Sequence, residues 1–349
     1  MKDVLETCSL CPICYRHLDS VLFEYNGTIK IKKECPEHGE MEYLVEHSAE
    51  FYYRIHSEVS NDRCNVVLFD VTDKCNLNCK HCYHLPDNDT PDKPISQVID
   101  EIRSIPSNFG IILAGAEPTV RKDIAELVQE IKRVFRMPVG MLTNGVKFSD
   151  KDFTKLMADS GIGGTVLLGI NCDSDDKLKA KQLEGLSNLS KFGLLPKIGY
   201  TASNYECLDQ VIQEVQELYR NNILIAGTDN VARLRFGSDI GRNTHDEQKT
   251  LSRNLEAVKK SCEHLKLSYS ELLLNNTIGH QCVLINGKPL RVIHWQDART
   301  ITMEEFICGP WARFLFPITN FVHQIILRDG LVNKNLPRLD LPPEKYILK

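Results

Sequence analysis

The stretch from Asp70 to Tyr83 limits what this chain can become more than any other. It reads D-V-T-D-K-C-N-L-N-C-K-H-C-Y and places Cys75, Cys79 and Cys82 in a C-x3-C-x2-C spacing. An apolar run, Val66 to Phe69, stands just before it. Such a run predicts a buried strand, so the cysteines fall on the loop that leaves it. Three thiolates so close can wrap one corner of a cubic iron–sulfur cluster, which ordinarily takes four cysteines. With three, one iron keeps an open position for a substrate or cosubstrate, as catalytic zinc does. The competing reading is structural zinc. Zinc knuckles come as paired C-x2-4-C units, and beside this loop only His81 and His84 offer further ligands.

Thirteen cysteines in 349 residues without an export signal point to metal sites and reduced thiols rather than disulfides. The expected location is therefore cytoplasmic. At 42% apolar and 26% charged residues the chain is long enough to bury a full α/β core. Its 42 basic and 47 acidic residues give a charge of −5, which argues against nucleic acid as a partner. The sequence holds no run of apolar residues long enough for a transmembrane segment.

A second metal set lies near the start. Cys11-Pro12-Ile13-Cys14 and Cys35-Pro36-Glu37-His38-Gly39 flank a segment that predicts a hairpin, Ser20 to Tyr25 and Thr28 to Lys32, turned by Asn26-Gly27. The hairpin would bring Cys11, Cys14, Cys35 and His38 together as a closed tetrahedral set for one zinc or a mononuclear iron. Cys8 is a fifth candidate that could replace His38. A closed set leaves no room for chemistry, so a structural staple is the favoured role, with electron delivery or substrate docking as the alternative.

Strand runs then alternate with amphipathic helices. Strands are expected at Val66–Val71, Gly110–Leu113, Val139–Leu142, Thr165–Ile170, Lys197–Thr201 and Ala232–Phe236. Between them Ile95, Val98, Ile99 and Ile102 share a helical face, as do Ile124, Leu127, Val128 and Ile131, and Leu208, Val211, Ile212 and Val215. Repeated β-α units imply a parallel sheet with crossover helices, open or curled into a barrel. The predicted fold is α/β in three parts: a metal-binding hairpin module over residues 1–60, a core over 61–263 and an α+β cap over 264–349.

The cysteine stretch resembles the signature of radical SAM enzymes, in which S-adenosylmethionine (SAM) chelates the unique iron of a [4Fe–4S] cluster. The knuckles ahead of it are similar to those of the tetraether lipid synthase and pterin methyltransferase-like group, whose members are longer and richer in C-terminal cysteines. The resemblance implies a partial (β/α)6 TIM-like barrel with the cluster at the C-terminal ends of the strands. It also implies cosubstrate contacts. Ala114-Gly115-Ala116-Glu117-Pro118-Thr119 resembles a G-G-E-P-T motif whose small residues let backbone approach the methionine ammonium, with alanine here at 114 and 116. Thr143 and Asn144 belong to a T-N-G strand ending that faces the cosubstrate or caps the turn. Ser203 and Asn204 stand where relatives contact ribose and carboxylate, and either is equally an N-cap for the next helix. His81 takes the place of an aromatic near adenine, with Tyr83 after it.

Two readings complete the set. Arg233, Arg235 and Arg242 flank the sixth strand's end, where one arginine, Arg235 foremost, would clamp a carboxylate or phosphate bidentately. In the C-terminal part a second hairpin is expected at Cys282–Ile285 and Leu290–Trp295 around Asn286-Gly287. Cys262, Cys282 and Cys308 are too widely spaced for a knuckle, so they read as buried thiols before an auxiliary cluster, with Cys308 as a candidate hydrogen-atom donor.

The activity the resemblance implies is reductive cleavage of SAM to a 5′-deoxyadenosyl radical acting on a small-molecule substrate, with a one-electron donor such as flavodoxin or ferredoxin. Carbon–carbon bond formation or alkylation is the leading reaction. Dehydration, epimerisation or dehydrogenation of a sugar or nucleoside is the alternative, and a zinc-binding scaffold is the non-enzymatic one.

Overall fold

The structure is a computed structural model. It describes residues 2–14, 16–56, 66–79, 86–103, 110–136, 139–163, 165–171, 174–202, 204–224, 232–236, 250–272 and 280–293.

The first four strands, β1 (Lys2–Leu10), β2 (His17–Tyr25), β3 (Thr28–Cys35) and β4 (Gly39–Glu46), form an antiparallel meander in sequence order. Asn26 and Gly27 turn β2 into β3 with φ of 50° and 74°, the left-handed pair that matches strand twist. Along β3 burial alternates, so Ile29, Ile31 and Cys35 point inward while Lys32 and Glu34 face solvent. Helix α1 (Ala49–Ile55) follows, started by Ser48, whose hydroxyl accepts from Phe51 N at 3.1 Å. It lays Ala49 and Tyr52 against Leu22, Ile29 and Ile31.

The remaining elements are β5 (Val66–Thr72), α2 (Ile95–Ile102), β6 (Gly110–Gly115), α3 (Ile124–Phe135), β7 (Val139–Thr143), α4 (Lys151–Asp159), β8 (Thr165–Asn171), α5 (Asp176–Lys191), β9 (Leu195–Ala202), α6 (Leu208–Arg220), β10 (Ala232–Phe236), α7 (Leu251–His264), β11 (Tyr269–Leu272), β12 (His280–Ile285) and β13 (Lys288–Ile293). All nine strands belong to one sheet, ordered β11-β12-β13-β10-β9-β8-β7-β6-β5. Strands β5 to β10 are parallel and each neighbours the next in sequence. Right-handed crossovers between consecutive neighbours put every crossover helix on the same face.

The side chains follow that logic. Leu113, Met141, Val166, Leu168, Ile198, Tyr200, Leu234 and Val292 are fully buried in one core with the helices. The apolar stripes expected of α2, α3 and α6 supply the helix side of it, except that Ile95 is only partly buried. Each such leucine or isoleucine stabilises the fold by about 1.5–3 kcal/mol relative to exposure. On the opposite face Leu142, Leu167, Gly169, Gly199, Arg233, Arg235 and Arg291 keep partial or full access.

The second hairpin was expected in a capping region, but it extends this sheet. β13 runs parallel to β10, with Leu234 opposite Val292, and Asn286 and Gly287 (φ 49° and 74°) turn β12 into it. The strand ends at Ile293, and the expected extension to Trp295 lies outside the described residues.

The meander is tied to the start of α7. Buried Glu46 accepts from Ser252 N at 3.2 Å, where a carboxylate also favours the positive end of the helix. His47 Nδ1 meets the Thr250 hydroxyl at 2.9 Å. Among the described residues no helix is long and apolar enough to cross a membrane.

Candidate cosubstrate corner and metal centre

The chain leaves β5 at Thr72, whose hydroxyl donates to Asp92 Oδ1 at 2.5 Å and accepts from Lys74 N at 3.1 Å. The loop then reaches Cys75. Its backbone N donates to Asn88 Oδ1 at 3.0 Å, and its sulfur accepts from Leu77 N at 3.3 Å. Cys75 and Cys79 are both half-buried. Burial pushes the Cys75 thiol up, with the Glu117 and Cys79 charges adding to it and the Leu77 N–H and Asn144 side chain opposing. Cys82 lies outside the described residues, as do His81, Tyr83, His84, Ser203, Arg242 and Cys308.

The end of β6 is stitched to this loop. Ala116 N donates to Thr72 O at 3.0 Å and Glu117 N to Lys74 O at 2.9 Å. The approach demands glycine at 115. Its φ is +113°, and a Cβ there would sit 2.3 Å from Thr72 O.

Glu117, 1% exposed, points into the protein. Its carboxylate accepts from Thr119 N at 3.0 Å, the Thr119 hydroxyl at 2.6 Å, the Thr143 hydroxyl at 2.8 Å and Asn144 N at 2.6 Å. Burial raises its proton affinity, and these donors, Asn144 N first, work against that. Glu117 thereby braces the end of β6 against the end of β7. Thr143 is committed to the same brace, since its hydroxyl also accepts from Gly145 N at 3.0 Å. Asn144 reaches back to the cysteine loop, donating through Nδ2 to Asn76 Oδ1 at 2.7 Å.

Three of the motifs singled out in the sequence thus meet in one corner: the cysteine loop, Gly115–Glu117 and Thr143–Asn144. The others lie along the same edge, because parallel strands end on the same side. Arg235 donates from Nη2 and Nε to the Thr201 hydroxyl at 2.7 and 3.2 Å across the β9–β10 pair. Asn204 Oδ1 accepts from Glu206 N at 3.1 Å in a local turn, and the N-cap of α6 is Cys207. Cys262 and Cys282 are buried in α7 and β12, and burial, their largest influence, raises both thiols, Cys262 to about 11.

Several supporting residues carry no motif. Gln182 on α5 is buried and donates to Asn144 O at 2.7 Å and Gly169 O at 3.1 Å, while its Oε1 has no hydrogen-bond partner among the described residues. Arg121, 1% exposed, donates to Val71 O at 2.9 Å and Lys93 O at 2.7 Å and pairs with Asp123 at 2.7 Å. It pins the strand before the cysteine loop and the segment after it, and a buried guanidinium is tolerable only with such partners. Asn88 and Asp92 do similar work. Their partners stand far away in sequence, so no local pattern announces them.

The meander holds the metal set. Ligand atoms of Cys11, Cys14, Cys35 and His38 all lie within 4.8 Å of one another. Cys11 Sγ and Cys35 Sγ stand 3.6 and 3.4 Å from His38 Nδ1, and Cys14 Sγ is 3.7 Å from Cys35 Sγ. Ile13 N and Cys14 N both donate to Cys11 Sγ, at 3.4 and 3.5 Å, as a knuckle requires. Cys8 is not in the set; its sulfur faces Asp19 Oδ1 at 3.9 Å. Among the thiols, Cys35 feels burial first, yet hydrogen bonds from the Glu37 backbone and His38 bring it down to about 6. Burial pushes Cys14 up to about 11. The ligands are also the local core, packed with Leu18 and Met41.

Comparison with known proteins agrees with both centres. Residues 69–231 match the radical SAM superfamily and residues 4–47 the HMPTM N-terminal zinc ribbon domain. The chain is 30% identical over 188 residues to the 7,8-dihydro-6-hydroxymethylpterin dimethyltransferase of Methanocaldococcus jannaschii, covering 45% of this chain and 37% of that one. It is 29% identical over 165 residues to the Fe-coproporphyrin III synthase of Methanosarcina barkeri, covering 44% and 40%. These matches therefore span well under half the length of either relative. Among solved structures, Streptococcus suis SuiB bound to precursor peptide SuiA superposes with a TM-score of 0.46 at 14% identity, over 74% of this chain and 71% of that one. The corner on the large sheet and the four-ligand set on the meander thus fall within two recognisable parts of the chain: a radical SAM domain over residues 69–231 and, ahead of it, a zinc ribbon of the HMPTM type over residues 4–47.

Proposed function

We propose that this chain cleaves SAM reductively at a [4Fe–4S] cluster held by Cys75, Cys79 and Cys82, and uses the product on a small molecule, most consistently for alkylation or carbon–carbon bond formation. One observation carries the reading. Thr72, Lys74 and Asn76 of the cysteine loop are hydrogen-bonded to Ala116, Glu117 and Asn144 of the next two strand ends, so a sulfonium cosubstrate and its cluster would share one built corner.

The residues fit such a group. A small-residue cradle is enforced at Gly115, where any side chain would strike Thr72 O. The half-buried sulfurs of Cys75 and Cys79 suit ligands that must be reached by a second molecule. When bound, the cluster and SAM supply one-electron chemistry able to activate an unreactive C–H bond. The chain supplies placement. Glu117 and Thr143 fix the backbone of the cradle, Asn144 locks it to the loop, and Ala114 and Ala116 keep it small. Arg235 and Asn204 would meet the carboxylate and ribose ends, and His81, Tyr83 and Ser203 complete the expected contact set.

Several finer features belong to the same proposal. A singly wound sheet with helices on one face is economical when its other face curls inward, so a partial (β/α)6 barrel is the natural form. Zinc is the proposed ion at Cys11, Cys14, Cys35 and His38, in a structural role. We also propose a division near residue 60, a flavodoxin- or ferredoxin-type donor and a cytoplasmic location. The dimethyltransferase named above supports the alkylation reading over the sugar or nucleoside alternative.

The test is Cys79→Ala after anaerobic reconstitution. Wild type should be brown and form 5′-deoxyadenosine and methionine with dithionite. The variant should do neither, and retained cleavage would overturn the assignment.

A further inference from the structure

The turn that follows β7 is held more tightly than a crossover connection needs. Every polar group of Asn144 is engaged. Its backbone N donates to Glu117 Oε2 at 2.6 Å, and its backbone O accepts from Gln182 Nε2 at 2.7 Å. In the side chain, Oδ1 accepts from Val146 N at 3.1 Å, which decides which end of the amide is which, and Nδ2 donates to Asn76 Oδ1 at 2.7 Å. An asparagine bound on all four sides has a single side-chain orientation.

Helix α5 grips this turn from behind along one ridge of residues three apart. Gln182 takes Asn144 O and Gly169 O, and Asn188 Nδ2 donates to Phe148 O at 3.0 Å and Ser149 O at 3.1 Å. Between them the helix comes so close that a Cβ on Gly185 would sit 2.5 Å from Gly145 O. Both amide side chains are buried, yet Gln182 leaves its Oε1 without a hydrogen-bond partner among the described residues. A buried acceptor left unmet costs stability, so packing alone does not account for glutamine at 182. What it holds is the carbonyl of Asn144, and what Asn144 holds is the cysteine loop. Asn76 lies between Cys75 and Leu77, and the Leu77 N–H donates to the Cys75 sulfur at 3.3 Å. An N–H aimed at a cluster thiolate favours the reduced form, which carries one more electron, and so raises the reduction potential.

We propose that Asn144, positioned by Gln182, sets the reduction potential of the cluster by fixing the turn in which the Leu77 N–H meets the Cys75 sulfur. The inference rests on the reading that Cys75 is a cluster ligand, and it deepens that reading. The ends of β7 and β8, with α5 behind them, set how readily one electron passes from the donor to the cluster.

The experiment is a redox titration of the reconstituted, anaerobic protein without SAM, with dithionite as reductant and the reduced cluster read by electron paramagnetic resonance. Asn144→Ala should make reduction about tenfold less favourable, a midpoint potential lower by about 59 mV for one electron. Asn76→Ala removes the acceptor on the loop side and should shift the potential the same way; it serves the comparison if Asn144→Ala takes up no cluster. Gln182→Leu should lower the potential by a smaller amount. The double variant Asn144→Ala with Gln182→Leu should fall no further than Asn144→Ala alone, because Gln182 acts through Asn144. Asn188→Leu, on the same ridge, should lower the urea unfolding midpoint as Gln182→Leu does and leave the potential where it was. Equal potentials in wild type, Asn144→Ala and Asn76→Ala would overturn the proposal, and so would a shift in Asn188→Leu as large as that in Gln182→Leu. Wild type that forms no cluster contradicts the proposed activity itself, whereas a cluster whose potential ignores Asn144 leaves that activity standing and removes this inference alone.

Discussion

The ribbon and the corner hold sulfur in opposite ways. In the ribbon, two knuckles bring four ligand atoms within 4.8 Å, Cys11 and Cys35 are fully buried, and most of the supporting hydrogen bonds come from neighbours in sequence. In the corner, Cys75 and Cys79 remain half-exposed, and their loop is fixed by residues such as Asn88, Glu117 and Asn144, 13 to 68 positions away from their partners. A closed set stabilises a small sheet and leaves no position for a reactant. A loop braced from outside can spare a coordination position, because its shape does not depend on filling every one with protein.

Breaking the corner should have the largest consequence. Cys75→Ala should abolish 5′-deoxyadenosine formation, measured by chromatography after anaerobic reconstitution, while the ribbon keeps its metal. The ribbon should respond differently. Cys35→Ser, or a strong chelator, should release one metal ion and loosen the knuckle end of the meander, because there the ligands pack with Leu18 and Met41 as the local core, while the cluster of Leu22, Ile29, Ile31 and Tyr52 lies apart from them. Circular dichroism should show strand loss with the large sheet retained, and metal analysis should count the ion. If the whole chain unfolds instead, the two regions are less separable than their hydrogen bonding indicates.

Smaller changes sharpen the contrast. Gly115→Ala should cost about 1–3 kcal/mol from backbone strain alone, with the collision against Thr72 O adding to it. SAM affinity should fall with the stability. Glu117→Gln replaces an acceptor of four hydrogen bonds with a group that must turn an NH2 toward donors, at a cost of about 1.5–3 kcal/mol in denaturant unfolding.

The smallest effect belongs outside both regions. Asp209 on α6 takes hydrogen bonds from Ser261 and His264 on α7, and the Ser261 hydroxyl, then His264, hold its carboxyl below the usual range. A carboxyl lowered on folding contributes stability above its unfolded value near 3.8, and that contribution disappears as pH falls through the lower folded value. Asp209→Asn should flatten this acid limb by less than about 1 kcal/mol, since the pair is partly exposed, and leave SAM binding unchanged.

How much the residues announced in advance follows the same division. The knuckles, the two Asn-Gly turns and the helical stripes are local patterns, and each was legible because its cause lies within a few residues. Glycine at 115 was legible as a small residue, but its reason, the carbonyl of Thr72, is long-range. Glu117 resembled a cosubstrate contact and acts in the structure as a brace. Its four donors come from residues up to 27 positions away, a relation no spacing rule contains. Strands β1 and β4 were passed over because their charged and apolar residues mix without clean alternation, and pairing with β2 and β3 decided them. The pairing of β10 with β13 was equally hidden. Arg291 stands 58 positions beyond Arg233 and becomes its neighbour only because the final hairpin joins the sheet.

The most direct measurement is electron paramagnetic resonance of the reduced, reconstituted protein before and after adding SAM. The account predicts a [4Fe–4S] signal that shifts when SAM binds, because the ligand reaches the iron the protein leaves open, and that is absent in Cys79→Ala. A colourless protein with zinc at Cys75 and Cys79, or a cluster signal indifferent to SAM, would contradict it.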